Sequence, residues 1–253
     1  VLGKREFSEL TPADLMAVLD GVQGCRASTA NKVVFNAFRA LLRDATRDGY
    51  ASWDLIPTLY ARLKRKTGEN AEERRPLTVE ERDVILGKLK SSMKPVEALF
   101  VRFLLFTGVR PNEALGLTWG RVCGETRRAY INEGIVDGCV TTLKTQRSRR
   151  WVEIPDTLWH AMPEHEDVEE RVFAEVKIAK LRAAWNEIVQ RMGLTNKPLY
   201  ICRHTFISQA LSSGVPLPVV AAQVGDNPSV VEKVYYRYLK SSRTDWDRAL
   251  SSS

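Results

Sequence analysis

Four groups of chemically capable side chains interrupt otherwise apolar stretches of this 253-residue chain. In TGVRPNEALGLTW (107–119), Arg110 and Glu113 stand three residues apart at the head of a helical pattern carried by Leu115, Leu117 and Trp119. That spacing turns both side chains to one face. In TTLKTQRSRRW, Lys144 is followed by Arg147, Arg149 and Arg150, and in LYICRHTFIS (199–208), Arg203 and His204 sit among Leu199, Ile201, Phe206 and Ile207. In VVEKVYYRYL (230–239), Tyr235, Tyr236 and Tyr238 cluster. Guanidinium, ammonium, imidazole and phenol groups donate to anions or exchange protons. With 38 Lys and Arg against 31 Asp and Glu, a formal charge of +7, the chain favours a polyanionic partner such as nucleic acid. Taken singly, each group also has a structural reading: a helix-surface ion pair, a solvated basic turn, a buried arginine paired to a carboxylate, and packing aromatics.

The elements that must position these groups fall into two parts. Thr11-Pro12 followed by Asp14 signals a helix start ahead of Leu15, Val18, Leu19 and Val22, and a second helix opens at Ser28-Thr29 and runs to a stop at Gly49. Residues 1–66 read as a small all-helical domain. The charged run LKRKTGENAEERRP (63–76), nearly free of apolar side chains, reads as an exposed linker, bounded here as 67–77. Residues 78–253 form the second domain. It opens on the capping-box pattern Thr78-Val79-Glu80-Glu81, followed by a helix over 79–90 and the all-round apolar, hence buried, helix over 96–108. Strand-like segments at 127–133, 139–144 and 150–155, with turns at Asp137-Gly138 and TQRSRR, predict one small antiparallel sheet with Lys144 at a hairpin tip. Helices over about 173–192, from the Arg203 segment to Gly214, from Pro216 to Val224, and through the tyrosines complete the domain. The fold class is therefore mainly α with a small antiparallel β-sheet.

Composition narrows the function classes. No apolar run reaches the roughly 18–20 residues that span a bilayer, and VLGKREFSEL lacks the apolar stretch of a secretory signal, while an opening without methionine points to a processed or truncated chain. Cys25, Cys123, Cys139 and Cys202 are too few and scattered for a disulfide framework, and no CxxC pair suggests zinc. A cytoplasmic protein with reduced thiols and no metal or cofactor is expected, with no membrane partner.

Together the motifs resemble the tyrosine recombinases of the phage-integrase type. TGVRPNEALGLTW is similar to that family's first arginine box, Thr-Gly-x-Arg-x-x-Glu-x-Leu-x-Leu-x-Trp. CRHTFIS is similar to its second, and Gly225 followed ten residues later by Tyr235 matches the third. The resemblance implies an N-terminal helical core-binding domain and an α+β catalytic domain that together clamp DNA. It implies Tyr235 as the nucleophile forming a 3′-phosphotyrosyl link, Arg110 and Arg203 as holders of the scissile phosphate, Lys144 as the acid for the departing 5′-oxygen, and Glu113 as an orienting group. Tyr200 would join the catalytic set, His204, Asp226 and Tyr236 are supporting candidates, and a nucleoid-associated protein of prokaryotic or phage origin is implied. Lys64, Arg65, Lys66, Arg147, Arg149 and Arg150 would contact DNA. The implied partners are a specific recombination site in double-stranded DNA and further protomers, four on DNA, with the tail SSRTDWDRALSSS as a docking segment.

Two positions depart from the family pattern. Tyr200 stands where a histidine precedes the second arginine by three residues, and Asp226 stands where a histidine follows Gly225. A tyrosine hydroxyl still donates to a phosphate oxygen; an aspartate anion repels one. Two other readings stay open: a catalytically weakened, integrase-like binding module, and a helix-turn-helix regulator built on ISQALSSGVPLPVVAAQV (207–224).

Overall fold

The computed structural model describes residues 6, 9–21, 29, 32–50, 56–57, 75–143, 148–195 and 197–239. The chain divides into two compact units, Val1–Ala71 and Glu72–Ser253. The expected sites at Lys64, Arg65, Lys66, Lys144 and Arg147, the C-terminal tail and the side chain of Tyr236 lie outside the described residues.

In the first unit, α1 (Pro12–Gly21) begins where the sequence signals it. The Asp14 carboxylate accepts from the Thr11 backbone N–H at 2.9 Å and from its hydroxyl at 2.7 Å, satisfying donors that a helix start leaves open. A π-helical stretch, Lys32–Phe38, continues into α2 (Arg39–Arg47), which buries Leu42 and Ala45.

The second unit is mostly helical, with small antiparallel sheets. Its first helix, α3 (Val79–Ser92), starts on a full capping box: the Thr78 hydroxyl accepts from the Glu81 N–H at 3.1 Å, and the Glu81 carboxylate accepts from the Thr78 N–H at 2.9 Å. Helix α4 (Pro95–Thr107) is the core element, with Phe100, Val101, Phe103 and Leu104 fully buried. Each such side chain contributes roughly 1.5–3 kcal/mol through burial. Phe173 meets the rings of Phe100 and Phe103 edge-on, with centroids at 5.0 and 5.3 Å. Gly108 ends the helix in the left-handed region at φ 68°. A Cβ there would lie 2.5 Å from the Phe206 ring and 2.9 Å from Val224, so glycine is what lets the later helices close onto the end of α4.

Helix α5 (Pro111–Gly116) follows at once, and the strands come next: β1 (Val122–Cys123), β2 (Arg128–Ile131), β3 (Glu133–Val136), β4 (Cys139–Thr142) and β5 (Arg150–Glu153). They form two sheets, not the single one expected: a three-stranded sheet in the order β1-β2-β5 and a separate β3-β4 pair. The predicted strand over 127–133 breaks at Asn132. Asp137 and Gly138, both at positive φ, fold residues 139–142 back onto 133–136, so β4 pairs with β3 and β5 pairs with β2. Close packing draws β3 away from β2. A Cβ on Gly116 of α5 would stand 3.0 Å from the Glu133 carbonyl oxygen.

After α6 (Asp156–Trp159), α7 (Ile178–Arg191) buries Leu181, Trp185, Ile188 and Val189 along one face. Helices α8 (Ile201–Ser212), α9 (Leu217–Val224) and α10 (Pro228–Leu239) enclose a smaller core of Ile207, Val220, Ala221, Val224, Val231 and Tyr235. No described helix is long and apolar enough to cross a membrane.

Candidate active site

Arg110 caps the start of α5, directly after the turn at Gly108, with Pro111 as the first helical residue. Its backbone N–H donates to Glu113 Oε2 at 3.1 Å and its Nη1 to Glu113 Oε1 at 2.7 Å. The i,i+3 spacing thus serves as both a helix cap and an ion pair. Glu113 is 3% exposed. Its Oε2 also accepts from Arg150 Nη2 at 2.9 Å.

Arg150 differs from its expected place in a solvated, DNA-facing basic turn. It is 8% exposed, with Nε donating to the Gln223 carbonyl at 2.7 Å and Nη1 to the Ser148 carbonyl at 2.8 Å. On β5 the residues alternate buried and exposed, and Arg150 shares the inward face with Val152. That alternation was available in the sequence. Gly225 makes the room, since a Cβ there would meet Arg150 Nη1 at 2.8 Å. Arg149, by contrast, is exposed.

Arg203 lies on α8 at 1% exposure, and its Nη1 donates to the Gly108 carbonyl at 2.8 Å. The carboxylate of Asp226, in the turn between α9 and α10, reaches both remaining guanidiniums. Oδ1 accepts from Arg110 Nη2 at 2.6 Å, and Oδ2 lies 2.6 Å from Arg203 Nη2. Although the second contact is close enough for an ion pair, its angle is poor for a hydrogen bond. Among the described residues, Arg203 Nε and Nη2 meet no acceptor in favourable geometry. Four segments distant in sequence thereby bring three guanidiniums and two carboxylates together.

The charges tune one another. Burial pushes the Glu113 carboxyl upward, yet Arg150 and Arg110 outweigh it and hold Glu113 below the ordinary carboxylate value. Burial likewise works against the charge on Arg110, but Glu113 and Asp226 hold it above the usual guanidinium value. For Arg150, burial prevails, helped by repulsion from Arg203 and Arg110, and lowers it despite Glu113.

On the neighbouring face of α8, His204 Nδ1 is hydrogen-bonded to the Tyr235 hydroxyl, and Tyr200 meets the His204 ring edge-on at 5.2 Å. Tyr235 is 3% exposed. Tyr200, one helical turn before His204, is exposed, and with Arg110, Arg182 and Leu199 it lines a cavity of about 330 Å³. Sequence reading missed Arg182, and it missed Gln223, whose amide accepts from the Glu153 N–H at 3.0 Å and donates to the Glu153 carbonyl at 3.0 Å. An arginine on a surface helix and a glutamine on an amphipathic one carry no local signal.

Residues 75–241 match the phage integrase family. A tyrosine recombinase XerC-like protein of Caldanaerobacter subterraneus subsp. tengcongensis is 26% identical over 204 residues, covering 64% of this chain and 51% of the relative. This chain therefore spans about half the length of that curated relative. Among solved structures, the Tn1549 transposon integrase in complex with circular intermediate DNA is similar with a TM-score of 0.73 at 15% identity, covering 98% of this chain and 86% of that one. A lambda integrase (75–356) dimer bound to a COC′ core site gives a TM-score of 0.68 at 14% identity, covering 95% and 84%. A lambda integrase tetramer bound to a Holliday junction gives 0.63 at 15% identity, covering 87% and 65%.

Proposed function

Because the chain belongs to the phage integrase family, we propose that it is a site-specific DNA recombinase that cuts and rejoins strands through a 3′-phosphotyrosyl intermediate. The observation that carries this reading is the convergence of Arg110 and Arg203, 93 positions apart, on one small anion, the Asp226 carboxylate. Two rigid guanidinium forks on one anion are what a phosphodiester needs as charge builds on its nonbridging oxygens.

In this mechanism the Tyr235 phenolic oxygen attacks phosphorus while its proton passes to His204 Nδ1, its hydrogen-bond partner. The P–O5′ bond breaks, and Lys144 protonates the departing oxygen. Glu113 orients Arg110 and Arg150, and Tyr200 borders the cavity beside Arg110, where the adjoining strand would run. Religation reverses each transfer, so the bond energy stays in the phosphotyrosine and no cofactor is consumed. The N-terminal unit, residues 1–66, would act as a DNA-binding clamp joined through the 67–77 linker, with Lys64, Arg65, Lys66, Arg147 and Arg149 on the backbone. Recombination between two sites calls for several protomers, here proposed as four. The DNA-bound dimer and tetramer of lambda integrase support this assembly.

The test uses a pool of nicked duplexes with randomised inverted repeats, from which covalent protein–DNA adducts are recovered under denaturing conditions and sequenced. The unaltered chain should form adduct, Tyr235→Phe none, and His204→Ala should form it about a hundredfold more slowly. Adduct surviving Tyr235→Phe but lost in Tyr236→Phe would move the nucleophile by one residue. Specific binding without adduct from the unaltered chain would replace the recombinase reading with a binding module, a reading favoured by the anion already lodged between the arginines.

A further inference from the structure

We infer that the Asp226 carboxylate occupies the seat of the scissile phosphate, and that this residue sets the affinity of the site for phosphodiester by competing for the same two guanidiniums. The inference rests on the reading of Arg110 and Arg203 as the phosphate clamp.

Three features carry it. First, the geometry is that of a bound oxyanion: two oxygens on one central atom, one 2.6 Å from Arg110 Nη2 and the other 2.6 Å from Arg203 Nη2. A phosphodiester presents two nonbridging oxygens in the same way, and both anions cannot hold these positions together. Second, the seat is under-filled. Arg203 is buried, yet its Nε and Nη2 meet no well-aligned acceptor among the described residues. A flat carboxylate serves one edge of each fork, whereas a tetrahedral phosphate has oxygens for more of these donors.

Third, Asp226 has no capping task in its own turn. Gly225, at φ 72°, ends α9 with its N–H donating to the Ala221 carbonyl at 2.9 Å, and Asn227 Oδ1 accepts from the Ser229 N–H at 3.1 Å at the head of α10. The Asp226 N–H is itself fixed to the Ala221 carbonyl at 3.1 Å. The backbone is thus pinned on both sides, so withdrawal of the carboxylate would be a rotation of the side chain. Charge agrees: three guanidiniums against two carboxylates leave one net positive charge. A phosphate arriving beside an unmoved Asp226 would face a like charge at hydrogen-bonding range. Phosphate binding therefore requires Asp226 to leave.

The experiment follows thermal unfolding of the full chain against inorganic phosphate at constant ionic strength. Asp226→Asn and Asp226→His should reach half-maximal protection at about a tenfold lower phosphate concentration or less. Asp226→Glu, which keeps the charge, should retain the unaltered dependence, and adding Arg110→Ala to Asp226→Asn should abolish the gain. Equal phosphate dependence in the unaltered chain and Asp226→Asn, or a gain that survives without Arg110, overturns the inference. If neither neutralising variant folds, crystals of the unaltered protein soaked in inorganic phosphate decide. Phosphate on both guanidiniums with Asp226 rotated out supports it, and intact Asp226 ion pairs at saturating phosphate refute it. This readout needs no strand cleavage. Adduct formation without the phosphate gain would reject the competitor role alone, and the gain without adduct would reject the recombinase reading alone.

Discussion

Glu113 and Asp226 each bridge two guanidiniums, and they do so in opposite surroundings. Glu113 is 3% exposed, accepts three hydrogen bonds, and ties α5 to β5 through Arg150, whose other nitrogens end on the Ser148 and Gln223 carbonyls. Asp226 keeps 21% of its side chain exposed, projects from a turn, and leaves Arg203 donors poorly aligned. The same pair of residue types therefore builds a fixed wall on one side and a replaceable occupant on the other. Satisfied donors and lost solvent make the difference, since a fully enclosed ion pair is costly to break from one side, while one whose carboxylate keeps contact with solvent and leaves donors misaligned is more readily exchanged for another anion.

The largest break in this comparison comes from Glu113→Ala. It leaves Arg150 buried without its counter-charge, and unfolding free energy should fall by about 3–5 kcal/mol by denaturant titration, with no gain in phosphate beyond that of the unaltered chain. The acid limb of stability offers a milder version. Glu113 is held below the ordinary carboxylate value of about 4.3, so the unfolded chain binds its proton first as pH drops. Its contribution is complete above the unfolded value and disappears as pH falls through the lower folded one. Glu113→Gln should therefore flatten the stability profile below about pH 4. An unchanged acid limb would mean that the pair contributes nothing through charge.

Gly225→Ala probes the hinge between the two sides. Its φ of 72° disfavours a side chain, and the new methyl would press on Arg150 at 2.8 Å. A loss of about 2 kcal/mol is expected, from left-handed strain plus displacement of the guanidinium. Restoration by a second change, Arg150→Ala, would locate the cost in the clash; failure to restore would place it in the backbone.

What could be read from the sequence follows the range of the interactions involved. Thr78 with Glu81, and Arg110 with Glu113, are three-residue devices whose partners are already written side by side, and the buried helix over 96–108 declares itself by being apolar all round. The β3–β4 hairpin was legible in its Asp137-Gly138 turn, but its separation from the other sheet at Asn132 was not, because it goes with the close approach of α5 that Gly116 allows. Arg150 is an intermediate case. Its alternation with Val152 pointed inward, but the run of basic neighbours masked it, and its buried partner lies 37 residues away. Asp226 was legible as a departure from the family pattern and as an anion out of place. That it rests on Arg110, 116 residues away, is a tertiary fact no local pattern encodes.

The smallest effect is also the most discriminating between the two carboxylates. Asp226→Asn keeps the shape of the side chain and one acceptor oxygen while removing the charge, and Arg110 and residue 226 keep contact with solvent. In phosphate-free buffer the variant should lose only about 1 kcal/mol, the scale of one imperfect hydrogen bond. Because a ligand that binds the folded state stabilises it in proportion to the logarithm of its concentration, millimolar phosphate should restore this loss and then exceed it. The Glu113 variants should show no such recovery, since their vacated position is enclosed by Arg110 and Arg150 away from solvent. If phosphate rescues both variants alike, the two carboxylates are equivalent counter-ions and the distinction between wall and occupant fails.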